Sequence, residues 1–122
     1  MKDSNHVFSF KIGKRVENNL YQIDIWLGDV LLTPIDNVAY LPQFIGSMKH
    51  ELNQLQQREI NPDSFFLDLG PTTDDCSSRI ALKGEVAEIT FELGEKNIYK
   101  LNIDVDELKS IYQGVINKLS AL

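Results

Sequence analysis

The chain closes on the segment that most restricts its fold, "DVDELKSIYQGVINKLSAL" at 104–122. Leu108, Ile111, Tyr112, Val115, Ile116 and Leu119 recur at the i, i+3, i+4, i+7 spacing that lines up one side of an α-helix. Asp104 and Glu107 stand at capping-box spacing, the aspartate set to accept from the first amides and the glutamate to reach back. A helix with a single apolar stripe is stable only when another layer covers that stripe. The rest of the chain must supply that layer.

A second helix begins near Pro42, in "PQFIGSMKHELNQLQQRE", with Phe44, Ile45, Met48, Leu52 and Leu55 on one stripe. Gly46 interrupts it at a cost of about 1 kcal/mol relative to alanine, and close packing against a strand would account for it. Elsewhere the period is two. "HVFSFKIGK" alternates, with Phe8, Phe10 and Ile12 on one side, and in "LYQIDIWLGD" Tyr21, Ile23, Ile25 and Leu27 share a face. Gly28 and Asp29 allow a reversal into a short strand from Val30 to Leu32. "TPID" at 33–36 reads as one helical turn with Thr33 as its N-cap and Pro34 first inside.

After the second helix, "FFLDLG" is apolar enough for a strand. "RIALKG" and "EVAEITFELG" are two strands, or one bent at Gly84, and "GEKN" turns into "IYKLNIDV". Ala87, Ile89, Phe91, Leu93, Tyr99, Leu101 and Ile103 point inward. Gln22, Asp24, Trp26, Glu88, Glu92, Lys100 and Asn102 fall on the opposite, wet face. The order strands, helix, strands, helix predicts an α+β fold, an antiparallel sheet with two main helices packed on one face as a two-layer sandwich. No composition break or repeat divides the chain, so 1–122 is read as a single domain.

Charge narrows the partners. The net charge is −6, yet residues 1–15 carry Lys2, Lys11, Lys14 and Arg15 against Asp3, a local +3 that leaves −9 for the remainder. Glu59, Asp63, Asp68, Asp74 and Asp75 lie in a stretch without any basic residue up to Ser78. Such a surface repels phosphate backbones, so no nucleic acid is expected as partner. It attracts a basic protein instead and speeds the encounter. No apolar run reaches the roughly 18 residues of a membrane span, and no secretory signal is visible at the N-terminus. A cytoplasmic protein is the expectation, with no membrane partner, as a monomer or weak dimer.

Chemistry-bearing constellations are sparse. Cys76, the one cysteine, follows Asp74 and Asp75, whose negative charge disfavours a thiolate. His6 and His50 are far from it in sequence and do not supply zinc-ligand spacing. The acids of "DSFFLDLGPTTDD" lack the alternation of a calcium loop, and the glycines form no phosphate cradle. Glu92 and Lys100, on adjacent strands, read as an ordinary surface pair. No catalytic residue, metal ligand or cofactor is assigned, and the protein is not expected to be an enzyme. The candidate partner-binding residues are Asp68, Asp74, Asp75, Glu59 and Asp63 by charge. Trp26, on the polar parity of its strand, and Tyr40, before the first long helix, join them because aromatic residues are enriched at binding hot spots.

Two stretches, "IDIWLGDVLLTPIDNVAYLPQFIGSMKHELNQL" and "EITFELGEKNIYKLNIDVDELKSIYQGVINKL", resemble the small bacterial immunity proteins of contact-dependent growth inhibition and related polymorphic toxin systems. The resemblance covers about 20–119 and lies in layout: an early strand pair, a helix with spaced leucines, a strand hairpin and an acid-capped closing helix. It implies a protein that binds one cognate toxin domain, often a nuclease with a basic cleft, and neutralises it through an acidic surface. It carries over no catalytic residues. The rival readings are a secretion chaperone that binds an effector, against which the opening strand counts, and a small metal-dependent hydrolase.

Overall fold

The computed structural model describes residues 8–28, 30–33, 37–60, 66–67, 76–94 and 97–122. Along the chain run β1 (Phe8–Glu17), β2 (Leu20–Leu27), β3 (Val30–Leu31), β4 (Val38–Tyr40), α1 (Leu41–Gln57), β5 (Cys76–Lys83), β6 (Val86–Leu93), β7 (Asn97–Asp104) and α2 (Val105–Ser120). The fold is α+β, and all of its strand ladders are antiparallel.

The strands divide between two sheets where the sequence pattern suggested one. β2 is the centre of the first, paired with β1 on one edge and with β3 and β4 at either end of the other. The second is a three-stranded meander, β5-β6-β7, in unbroken register. The reason is physical: alternation says which side chains turn inward, and is silent on which strands become neighbours. The inward sets are largely as expected. Ile23, Ile25 and Leu27 of β2, Ala87, Ile89 and Phe91 of β6, and Leu101 and Ile103 of β7 are buried.

These faces and the two helix stripes meet in one core. Phe8 of β1 lies against Phe91 of β6, ring centroids 6.1 Å apart, and so joins the sheets. Phe10 and Phe66 pack on Tyr112 of α2, at 6.2 and 5.7 Å. Leu41, Phe44, Met48, Leu52 and Leu55 of α1 and Leu108, Val115, Ile116 and Leu119 of α2 complete it. Aromatic pairs in such tilted or edge arrangements add to the gain from area burial.

Several local expectations change. Thr33 is buried and its hydroxyl accepts the Ile25 amide at 3.2 Å, while Pro34, Ile35 and Asp36, on which the expected helical turn falls, lie outside the described residues. β4 was not expected, because three residues are too few to show a period. Gly46 is exposed and faces open space, so close packing does not account for it. Asp104 is the N-cap of α2 but makes no side-chain capping bond. β7 runs straight into the helix there, and the Val105 amide already donates to the Glu85 carbonyl at 2.8 Å. β5 and β6 are two strands joined through Gly84, whose φ of +64° suits glycine. Of "FFLDLG" only Phe66 and Leu67 are described, and Phe66 makes a single bridge to Ser78.

Candidate partner-binding surfaces

The solvent side of the first sheet is set by the register of β2. Ser9, Trp26 and Leu31 form one row across β1, β2 and β3, Lys11 pairs with Asp24, Gln22 with Val38, and Leu20 with Tyr40. Directly paired residues share a face, and even-numbered residues of β2 share one as well. Trp26 and Tyr40 therefore stand on the same face, at opposite ends of β2, six residues or about 20 Å apart. Tyr40 is 50% exposed, and Trp26, Leu20, Gln22, Asp24, Leu31 and Val38 are half-buried. Tyr40 belongs to β4 and is also the residue that caps α1, so two elements hold it in place. Between the aromatics, the Asn37 side-chain amide donates to Asp24 Oδ1 at 2.9 Å and orients that carboxylate.

Glu59, the one acidic candidate among the described residues, does not join this face. Glu59 is exposed just beyond the C-cap of α1, where its amide donates to the Gln54 carbonyl at 3.0 Å. Tyr40 begins the same 17-residue helix, so a helix length of about 25 Å separates the two. Asp63, Asp68, Asp74 and Asp75 lie outside the described residues. Directly after Asp74 and Asp75, Cys76, Ser77, Ser78 and Arg79 open β5. Cys76 and Ser78 turn inward and are buried, and Ser77 and Arg79 turn out.

The second sheet presents a different outer face. Its rows are Ser77–Glu92–Ile98, Arg79–Thr90–Lys100, Ala81–Glu88–Asn102 and Lys83–Val86–Asp104. Lys83 pairs with Glu88 at 3.3 Å. Glu92 and Lys100 are diagonal neighbours, because Glu92 is opposite Ile98 and Lys100 opposite Thr90. Arg79, Lys83 and Lys100 balance Glu88, Glu92 and Asp104, so this face carries no net sign. The acidic character found in the whole chain is not expressed here.

One polar pair was missed from sequence. Glu51 of α1 is 5% exposed and Tyr112 of α2 fully buried, and the phenol donates to Glu51 Oε1 at 2.6 Å. The signal was present: Glu51 follows Phe44 and Met48 at i+7 and i+3, so it sits on the apolar stripe of α1. Burial first, then the Glu51 charge and the hydrogen bond, push the Tyr112 phenol well above its ordinary pKa of 10.0. The pair ties the helices together and reaches no open surface through Tyr112. Among the described residues no three His, Cys, Asp or Glu side chains gather as a metal site would require, and no helix is long and apolar enough to cross a membrane.

No protein-family model matches the chain. No solved structure matches it either. Two curated proteins do, the trigger factors of two strains of Ureaplasma parvum serovar 3, each 31% identical over 75 residues. That is 62% of this chain and 16% of each trigger factor, so the chain covers about a sixth of the relatives it matches.

Proposed function

We propose that the protein is an immunity protein that binds a cognate, basic protein toxin, with the outer face of the β1–β4 sheet as its docking surface. The observation that supports this reading most is the placement of Trp26 and Tyr40 on one face, with Leu20, Leu31 and Val38 between and beside them and Asp24 at the centre. Large aromatic residues at the ends of a mixed apolar and polar strip are the composition of a protein-binding hot spot. Asp24, oriented by Asn37, offers a carboxylate to a lysine or arginine of the toxin. The net charge of −6 adds attraction at long range. Glu59, Asp63, Asp68, Asp74 and Asp75 contribute to that field, and Glu59 does so from a separate surface. The second reading is a chaperone-like holder of another polypeptide, toward which the partial similarity to trigger factor leans.

The test is co-purification with the tagged chain from its source cells, followed by a killing assay with the captured protein in cells lacking this chain. The expected partner is stoichiometric, basic and lethal when unprotected. Tyr40→Ala should weaken it, since truncation of a hot-spot aromatic costs about 2 kcal/mol or more, whereas Glu59→Lys should change mainly the association rate. A harmless partner bound with equal affinity by wild type and Tyr40→Ala removes both the toxin and the docking face.

A further inference from the structure

Of the sheet edges, β7 is the least protected among the described residues, with Lys100 as its one central charge. The β1 edge is broken by register shifts between Ile12 and Arg15 and between Arg15 and Glu17, and carries Lys11, Lys14 and Arg15. The opposite edge is made of β3 and β4, two and three residues long. The β5 edge is covered at Ser78, which accepts the Phe66 amide at 2.7 Å and returns its hydroxyl to the Phe66 carbonyl at 2.5 Å. Bulges, short strands, charges and covering segments are the means by which sheets avoid pairing with other chains. β7 has eight residues, an unbroken register, no proline and one lysine.

The phase of its hydrogen bonds is also defined. Val105 and Glu85 are opposite one another in the register that pairs Asp104 with Val86, and the Val105 amide donates to Glu85. Hydrogen-bonded and non-bonded pairs alternate in an antiparallel ladder. Tyr99, Leu101 and Ile103 therefore bond to β6, and Ile98, Lys100 and Asn102, with the Asp104 amide, direct their backbone groups outward. The same even-numbered residues carry exposed side chains, Ile98 at 61%.

We infer that β7 pairs antiparallel with β7 of a second copy about a two-fold axis at Leu101, joining three strands from each copy into one continuous sheet. Three constraints select this register. A two-fold normal to the sheet keeps each face on its own side, so partners must have the same parity. Centring on Lys100 would set two like charges opposite each other, which is unfavourable. Centring on Leu101 matches Ile98 with Asp104 and Lys100 with Asn102 in hydrogen-bonded positions, and moves the two Lys100 side chains from directly opposite to diagonal, where each also has the other copy's Asp104 as its second diagonal neighbour. On the inner face Leu101 meets Leu101, and Tyr99 meets Ile103. Centring on Asn102 also pairs Lys100 with Asp104, but leaves Ile98 beyond the seam. The pairing is isologous and closes as a dimer.

Sedimentation of the full chain over a wide concentration range, with circular dichroism as a fold control, tests this. Wild type should dimerise reversibly. Asn102→Lys opposes two lysine pairs across the seam and should weaken the dimer about tenfold. Adding Lys100→Glu to that variant sets glutamate against lysine and should restore it. Asn102→Pro should abolish dimerisation with β6 pairing intact, because the lost amide is an outward one. A chain that stays monomeric, or a dimer indifferent to Asn102→Lys and Asn102→Pro, overturns the inference. So does failure of the double variant to recover, which rules out the Leu101-centred register.

Discussion

The two sheets use the same alternating strand pattern and finish with opposite outer characters. In the β1–β4 sheet, bulges and short strands break the edges, and the outer face is half-buried and bracketed by Trp26 and Tyr40. In the β5–β7 sheet the ladders are regular, the outer face is half-buried only around Ala81, Glu88 and Thr90 and exposed elsewhere, and its charges cancel. The lesson is that available binding sites differ in kind. An irregular sheet protects its backbone and offers side chains from a face, whereas a regular one offers the backbone of its free edge.

The largest test of the comparison asks whether the sheets are energetically separate. Phe91 of the second sheet is fully buried against Phe8 of the first. Phe91→Ala should cost about 3–5 kcal/mol. The single tryptophan, Trp26, reports the first sheet alone, so its fluorescence transition in urea should fall together with the circular dichroism transition. Separated transitions would mean that the sheets unfold independently.

Next in size is the helix pair that both sheets support. Tyr112→Phe removes the phenol that donates to Glu51 and should cost about 1–3 kcal/mol, measured by urea unfolding near neutral pH. It also carries a pH signature. The folded phenol's pKa is raised, so above about pH 10 the unfolded chain releases a proton that the folded chain keeps. The stabilisation is full below that pH and declines as pH rises toward the folded value. Tyr112→Phe should remove this alkaline loss, and an unchanged slope would show that the phenol is not the group responsible.

The smallest effects separate a demanding glycine from an idle one. Gly84→Ala forces a left-handed conformation into the β5–β6 turn and should cost about 1–2 kcal/mol. Gly46→Ala meets open space on α1 and should stabilise by up to about 1 kcal/mol. Thermal melts of the two variants should therefore shift in opposite directions.

Much of the core was legible because burial has a period. The α2 stripe needed only Leu108, Tyr112, Val115, Ile116 and Leu119 at helical spacing, and β6 needed Ala87, Ile89 and Phe91 at alternate positions. That Trp26 lies on the outer face of β2 was also legible, from the alternation of its strand. That Tyr40 shares its face was not, because β4 is three residues long and its pairing with Leu20 is a long-range choice. Glu51 stands on the apolar stripe of α1 by its spacing, but its donor, Tyr112, comes from 61 residues away and no local pattern names it.

Sequence by itself therefore determined the α+β class, the helix stripes and the inward residues of most strands, because those follow from local periodicity and the cost of exposing apolar surface. Tertiary structure decided the division into two sheets, the loss of the Asp104 capping bond, the burial of Thr33, the pairing of Glu51 with Tyr112, and the edge of β7 that no described residue covers. Each of these depends on which backbone or side-chain partner arrives from elsewhere in the chain, and hydrogen-bond partners at long range leave no periodic trace in sequence.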